Sequence, residues 1–327
     1  MSRNKVKLPI SEIEIEQFIF HVVHHGEDDP ILMNNTPISG FETFFKQRIA
    51  EIVEGNQFLF RESSDFYGNI NSIYNDEKLF LEVSQRLAKA FHKDDERIKA
   101  GVMILMKVII QGKLAYLLLK YDHDNVVTYN TTSKGEAVLS EIKNSFSKNK
   151  DALQKSVIVY LDSGYAIVND ASNKSNITKF FKDFLGVHRK YEQKALTERL
   201  KKSFLNTVKH FKDELPHSYT SQASNLFYTI VQNNDVFDRD TFLDIAFGTH
   251  NLPKVEAIFD RELRKEDIYG EVFDFDKNIE PPKQKRYKTK EGVIINVPID
   301  AEDSIKIADN DEHSIITITT KKLTVLQ

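Results

Sequence analysis

The sequence predicts an α+β protein: an N-terminal mixed α/β domain with an antiparallel sheet, a central helical segment and a C-terminal antiparallel β meander. Three observations predict it. Apolar residues alternate with glutamates over residues 10–22, two apolar runs flank the short connection Gln111-Gly112-Lys113, and apolar spacing lengthens to helical steps after a polar break at 171–176. The break separates an N-terminal α+β domain, residues 1–170, from a second region, residues 171–327, which is helical first and β-rich afterwards. A chain of 327 residues is long enough for two domains of ordinary size.

Ile13, Ile15, Ile19 and Ile10, Phe18, Phe20, Val22 interleave with Glu12, Glu14 and Glu16, which predicts a strand. Asp29-Pro30 turns the chain and Ile31 to Met33 continues as a short second strand. Phe41, Phe44, Phe45, Ile49, Ile52 and Val53 form a helical stripe with Ser39 placed to cap it, and Leu79, Leu81, Val83, Leu87, Ala90 and Phe91 form another. Gly101 to Ile110 and Leu114 to Tyr121 read as a hairpin buried on both faces, with Val126 to Tyr129 and Ser156 to Leu161 as further strands. After the break, Asn176 starts a helix that Gly186 ends. One long helix then runs from Arg189 to Leu215 before Pro216, followed by helices at Ser221–Gln232, Asp240–Phe247 and Leu252–Leu263. Alternation returns at Val293–Ile299, Ile305–Ile307, Ile316–Ile318 and Leu323–Val325, the strands of the meander.

Composition excludes several chemistries. Without cysteine there is no disulfide frame, thiolate zinc site, iron–sulfur cluster or cysteine nucleophile. A net charge of −4 rules out a uniformly basic coat. No apolar leader follows Met1, and the longest apolar run, Val102 to Ile110, is broken by Lys107 and spans about half the length a membrane helix requires. The expectation is a cytoplasmic protein with no membrane partner. The glycine-rich phosphate loops, the dinucleotide fingerprint and the Gly-x-Ser-x-Gly elbow are all absent, so no catalytic residue, cofactor or metal is assigned.

Against that acidic total, one segment stands out. Residues 174–212 hold eleven lysines and arginines and only Asp183, Glu192 and Glu198, or 11 − 3 = +8. On a helical wheel Leu196, Leu200, Phe204, Val208, Phe211 and Leu215 share an apolar arc, while Lys190, Lys194, Lys201, Lys202, Lys209 and Lys212 share the adjoining one with Glu198. A helix docked by one face and lined with ammoniums on the next suits the phosphates of duplex DNA, although solvated lysine faces are common on soluble helices. Lys182 and Arg189 extend the set, and Lys283, Lys285, Arg286 and Lys288 form a second basic stretch that reads as an arm or a connector. His21, His24, His25, Asp28 and Asp29 make the one histidine–carboxylate cluster to weigh as a metal site, and their spacing fits no ligand pattern. Two rival readings follow: a protein-interaction adaptor, and a metal-dependent nuclease built on that cluster.

The stretch Thr178-Lys179-Phe180-Phe181-Lys182-Asp183-Phe184-Leu185-Gly186 resembles the signature of the 37-kDa bacterial nucleoid-associated (NdpA/YejK-like) protein family. The Ile-rich first strand ending in His21-Val22-Val23, the strand pair near 102–120, Tyr160-Leu161-Asp162 and the β-rich tail follow the same order. Between Leu161 and Asn176 the chain departs from the family pattern, with Gly164-Tyr165 and Asp170 where a basic segment is expected, so it reads as a divergent member. The resemblance implies association with double-stranded DNA and the nucleoid and contact with type II topoisomerase subunits, and it supplies no catalytic residues; the expected assembly is a homodimer. As an adaptor, it would serve as a topoisomerase partner or a phage-defence component.

Overall fold

The computed structural model describes residues 8–34, 37–38, 40–95, 98–122, 124–131, 137–145, 152–250, 253–282, 284–309 and 313–321. The architecture is α+β. The chain divides into two compact units. One comprises residues 1–192 with the returning segments 236–239 and 270–274, and the other comprises residues 193–235, 240–269 and 275–327.

The first unit is built on a seven-stranded sheet of order β1-β3-β4-β7-β8-β2-β9, antiparallel at every pairing. Its strands are β1 (Ile13–Val23), β2 (Asn56–Phe60), β3 (Gly101–Ile110), β4 (Lys113–Asp122), β7 (Leu153–Tyr160), β8 (Tyr165–Asp170) and β9 (Val187–Arg189). Strands β5 (Asp124–Thr131) and β6 (Ala137–Ser145) pair apart from it, as do the two-residue strands β10 (Val236–Phe237) and β11 (Phe273–Asp274). The β3–β4 turn is two residues, Gln111 and Gly112, with φ of 51° and 74°, the doubly left-handed form that matches strand twist.

Both faces of this sheet are covered, which explains why β3 and β4 read as unbroken apolar runs. Helix α1 (Glu42–Ile52) packs Phe45, Ile49 and Ile52 against Ile104, Met106, Leu117 and Ile158. On the other face α2 (Asp65–Asn75), α3 (Phe80–Phe91) and α4 (Lys179–Leu185) set Ile70, Val83, Phe91 and Phe181 over Met103, Leu105, Leu118 and Val157. The α1 stripe is as expected, but Phe41 precedes it without a side-chain cap, and Ser39 lies outside the described residues. Ile31 forms a single bridge to Val22 rather than a second strand. Helix α4 starts after Thr178 rather than Asn176 and ends at Gly186 (φ 64°), where an added Cβ would lie 2.9 Å from Ser64 Cα. That close approach and the left-handed turn both require glycine.

The second unit is helical: α5 (Gln193–His210), α6 (His217–Ser221), α7 (Ala223–Asn233), α8 (Arg239–Phe247, whose first residue falls in the first unit) and α9 (Pro253–Lys265). Phe204 of α5 is central, its ring 5.9 Å from Phe227, 5.7 Å from Phe242 and 5.6 Å from Phe247. The expected long helix is interrupted at both ends. Val187 to Arg189 pair with β2 as β9, and regular helix stops at His210 before Pro216 is reached. After the helices come two separate two-stranded sheets, β12 (Gln284–Lys288) with β13 (Ile294–Pro298) and β14 (Ile305–Asp309) with β15 (Ser314–Ile318), in place of one continuous meander. Leu323 to Val325 lie outside the described residues.

Candidate nucleic-acid interface

The buried side of α5 is fixed by Leu196, Leu200, Phe204 and Val208, and by three hydroxyl residues, Thr197, Ser203 and Thr207. Each hydroxyl donates to the carbonyl four residues back, to Gln193, Arg199 and Ser203, at 3.0, 3.1 and 2.8 Å. The Thr197 hydroxyl also accepts from the Asp276 amide at 3.0 Å. Small residues that satisfy their own polar atoms let α5 sit close to α9 and α7 without buried unpaired groups.

This seating turns the cations of the segment to different fates. Lys194, Lys209 and Lys212 are exposed and Lys201 is half-buried, and none of the four has an ion-pair partner among the described residues. Glu198, exposed, shares their arc. Lys202 is held 2.5 Å from Glu266, and Arg199 Nη1 donates 2.6 Å to the Glu266 carbonyl. Four of the expected contacts are therefore open to a polyanion, and Lys202 reaches one only by leaving its carboxylate.

In the first unit the expected cations are more occupied. Arg189 is withdrawn from any interface: it donates to Glu271 at 2.7 Å and to the Val272 carbonyl at 3.0 Å, with its guanidinium 5.3 Å from the centre of the Phe58 ring. Glu271, itself buried, also accepts from the Gln57 amide at 2.9 Å, so the pair ties β2, β9 and the 270–274 segment together. Lys190 donates 2.8 Å to Gln57 and lies 4.9 and 5.4 Å from the rings of Tyr165 and Tyr191. Lys182, in the last turn of α4, is half-buried and makes no ion pair among the described residues.

The second basic stretch is a strand rather than an arm. Lys285, Arg286 and Lys288 lie in β12 opposite Val297, Asn296 and Ile294, and Tyr287 between them is buried. Lys283 lies outside the described residues. Alternating Lys-Arg-Tyr-Lys carries no apolar period, so nothing in that stretch marked it as a strand; only its partner β13 does.

The aromatic signature of α4 is packing. Phe91 meets Phe180 at 5.3 Å and Phe184 at 4.8 Å, and Phe184 meets Phe66 at 5.4 Å. Beneath α4 lies a charged cluster that sequence reading missed. Asp170 accepts from Lys155 Nζ at 2.7 Å, from the Thr178 amide and hydroxyl at 2.9 and 2.8 Å, and from the Ser172 amide at 3.1 Å. Lys120, the register partner of Lys155, pairs with Asp122. Burial pulls the Lys120 ammonium down to about 7, and the adjacent Asp122 carboxylate works against that.

The histidine cluster is a clip. His21 Nδ1 accepts from the Met33 amide at 3.0 Å, which leaves Nε2 to carry the proton and donate 3.1 Å to Ser84 Oγ. His92 Nδ1 accepts from the His24 amide at 3.0 Å and Nε2 donates 2.8 Å to the Glu27 carbonyl, while His25 Nε2 donates 3.0 Å to the Asp29 carbonyl. Burial lowers both His21 and His24 to about 4. These rings hold the 24–33 loop, and no group of three or more metal-ligating side chains is placed to hold an ion among the described residues. No helix among the described residues is long and apolar enough to cross a membrane. No protein-family model matches the chain, and no curated protein matches it.

Proposed function

We propose that the protein is a non-catalytic, duplex-DNA-associated protein that binds with low sequence specificity through the lysines without ion-pair partners along α5 and the turn after it. One observation carries the reading: Lys194, Lys201, Lys209 and Lys212 follow one arc of a helix whose opposite side is locked in a core, and no carboxylate neutralises them among the described residues, in a chain of net charge −4. Such an arc meets phosphates and reads no base edges, so affinity falls steeply with salt. The family resemblance supports the same reading and adds nucleoid localisation and a type II topoisomerase partner, and a homodimer completes the proposal.

The test is duplex binding by fluorescence anisotropy at two ionic strengths. The variant with Lys194, Lys201, Lys209 and Lys212 all changed to Glu is expected to lose binding while keeping its unfolding midpoint. Undiminished binding by that folded variant overturns the reading. A second reading, the interaction adaptor, is favoured by Ile294, Ile307, Ile315 and Ile318, which are exposed on the C-terminal hairpins. A protein partner retained from nuclease-treated lysate, together with no duplex binding by the purified chain, selects it.

A further inference from the structure

Beside the lysine arc, α5 and the turn after it face α6 and α7 across a hollow of about 270 Å³. Val208 forms part of its floor, Lys209 and Lys212 stand on one side, and Thr220, Ser221 and Ser224 stand on the other. Among the described residues no carboxylate lines it. Four other cations of the same unit are paired: Lys202 with Glu266, Lys254 with Glu214, and Arg261 and Lys265 with Glu262. Of the acids on the turn beside Lys212, Glu214 is taken by Lys254, and Asp213 is exposed to solvent outside the lining. Ala223 and Ser224 open α7, and Gln222 before them makes no side-chain cap, so the positive end of the helix lies on the hydroxyl side.

Among the described residues, two ammoniums without ion-pair partners stand opposite Ser224 around a concavity with no carboxylate in its lining, an arrangement that donates hydrogen bonds and neutralises two negative charges. A carboxylate ligand would use the lysines and leave the hydroxyl side half-used. A tetrahedral phosphoryl group presents oxygens to both sides at once. We propose that this hollow is a phosphoryl seat, held by Lys209 and Lys212 against the Ser224 side, and that on duplex DNA it takes one backbone phosphate and fixes how the strand lies along α5. The seat deepens the duplex reading and rests on it for the source of the phosphate alone.

The experiment separates the two. Inorganic phosphate is titrated into the full chain at constant ionic strength and followed by phosphorus NMR, with duplex affinity measured in parallel. Saturable binding is expected for the wild-type chain, weakened about tenfold or more by Lys209→Gln with Lys212→Gln, since two charge-assisted hydrogen-bonding groups are lost. Ser224→Asp, a residue favoured in a first helical turn, keeps α7 while placing a negative charge in the hollow, and it should abolish phosphate binding. Lys194→Gln with Lys201→Gln should leave phosphate binding unchanged while weakening the duplex. The absence of saturable phosphate binding, or equal loss in the 194/201 control, overturns the seat even where duplex binding persists. Pocket-specific phosphate binding without duplex binding upholds the seat and removes the duplex reading. Competition of inorganic phosphate with the duplex, lost in Ser224→Asp, identifies the backbone as the source.

Discussion

The buried sheet of the first unit and the lysine arc of the second treat positive charge in opposite ways. In the sheet unit the buried or half-buried cations Lys107, Lys120, Lys155, Arg48 and Arg189 meet Glu16 and Glu77, Asp122, Asp170, Glu51 and Glu271. On α5 and the turn after it, Lys194, Lys201, Lys209 and Lys212 meet none among the described residues. A cation taken out of water must be answered, because an unpaired buried charge costs several kcal/mol, or on the order of half a domain's net stability. A cation left in water carries no such requirement, so carboxylates near it are optional. Where the fold supplies the acid, the charge is serving the fold; where it withholds the acid, the charge is free for a polyanion.

Acid is the strongest way to break this contrast. His21 and His24 are held near 4 in the folded chain against an ordinary value of 6.5. Between those values the unfolded chain binds more protons than the folded one, so stability is full above about pH 6.5 and is lost as pH falls toward 4. Each histidine accounts for about 3 kcal/mol at full effect, at about 1.4 kcal/mol per pKa unit. Urea unfolding at pH 7 and pH 4.5 should show a large drop in midpoint. His21→Asn and His24→Asn should flatten the pH dependence even as they lower stability at pH 7.

Asp170→Ala comes next. It removes the acceptor of Lys155 and of the Thr178 amide and hydroxyl together, beneath α4. Breaking one partner of a buried pair costs about 3–5 kcal/mol. Equilibrium denaturation is expected to show that loss. Changing Lys155 to Met in the same chain should recover part of it, because the orphaned charge goes too.

How much of this was legible follows from which signals are local. The strand at Ile13–Val23, the β3–β4 hairpin and helix α3 declared themselves because their apolar periods are long and uninterrupted. Helix α2 did not: Phe66, Ile70 and Ile73 have helical spacing, but Gly68 and the asparagines around it weaken the propensity, and its cap, Ser64, is fixed by a bond to the Leu185 carbonyl 121 positions away. Strands β2 and β8 are short and carry the polar residues Asn56, Gln57 and Asp170, whose partners include Lys174, Glu271 and Lys155 on other segments. The lysine arc was visible as a wheel pattern, since exposure follows from facing away from a predicted apolar side. Which cations were already spent was invisible, because Glu271 and Glu266 lie 82 and 64 positions from Arg189 and Lys202, and no period links them.

For the arc itself, changing Lys194, Lys201, Lys209 and Lys212 to Gln should lower the slope of log affinity against log salt by about 3–4, at roughly 0.9 per phosphate contact. The unfolding midpoint should move little, since these ammoniums make no ion pair among the described residues. Anisotropy titrations across a salt series read the slope directly. A slope unchanged by all four substitutions would place the polyanion on another surface.

The smallest effect discriminates most finely, because it compares neighbours on one helix. Lys201 has no ion-pair partner among the described residues, while Lys202 is 2.5 Å from Glu266. If lack of an acid is what makes a lysine available, Lys201→Gln weakens duplex binding several-fold and lowers the salt slope by about 0.9, while Lys202→Gln changes affinity less than about twofold. Glu266→Gln then inverts the order. It frees Lys202 from its partner and leaves the Glu266 carbonyl that Arg199 uses in place, so duplex affinity should rise and the salt slope steepen. Equal losses from Lys201→Gln and Lys202→Gln, with no gain from Glu266→Gln, would mean that the polyanion senses the summed charge of α5 and that pairing within the fold does not decide which lysines it meets.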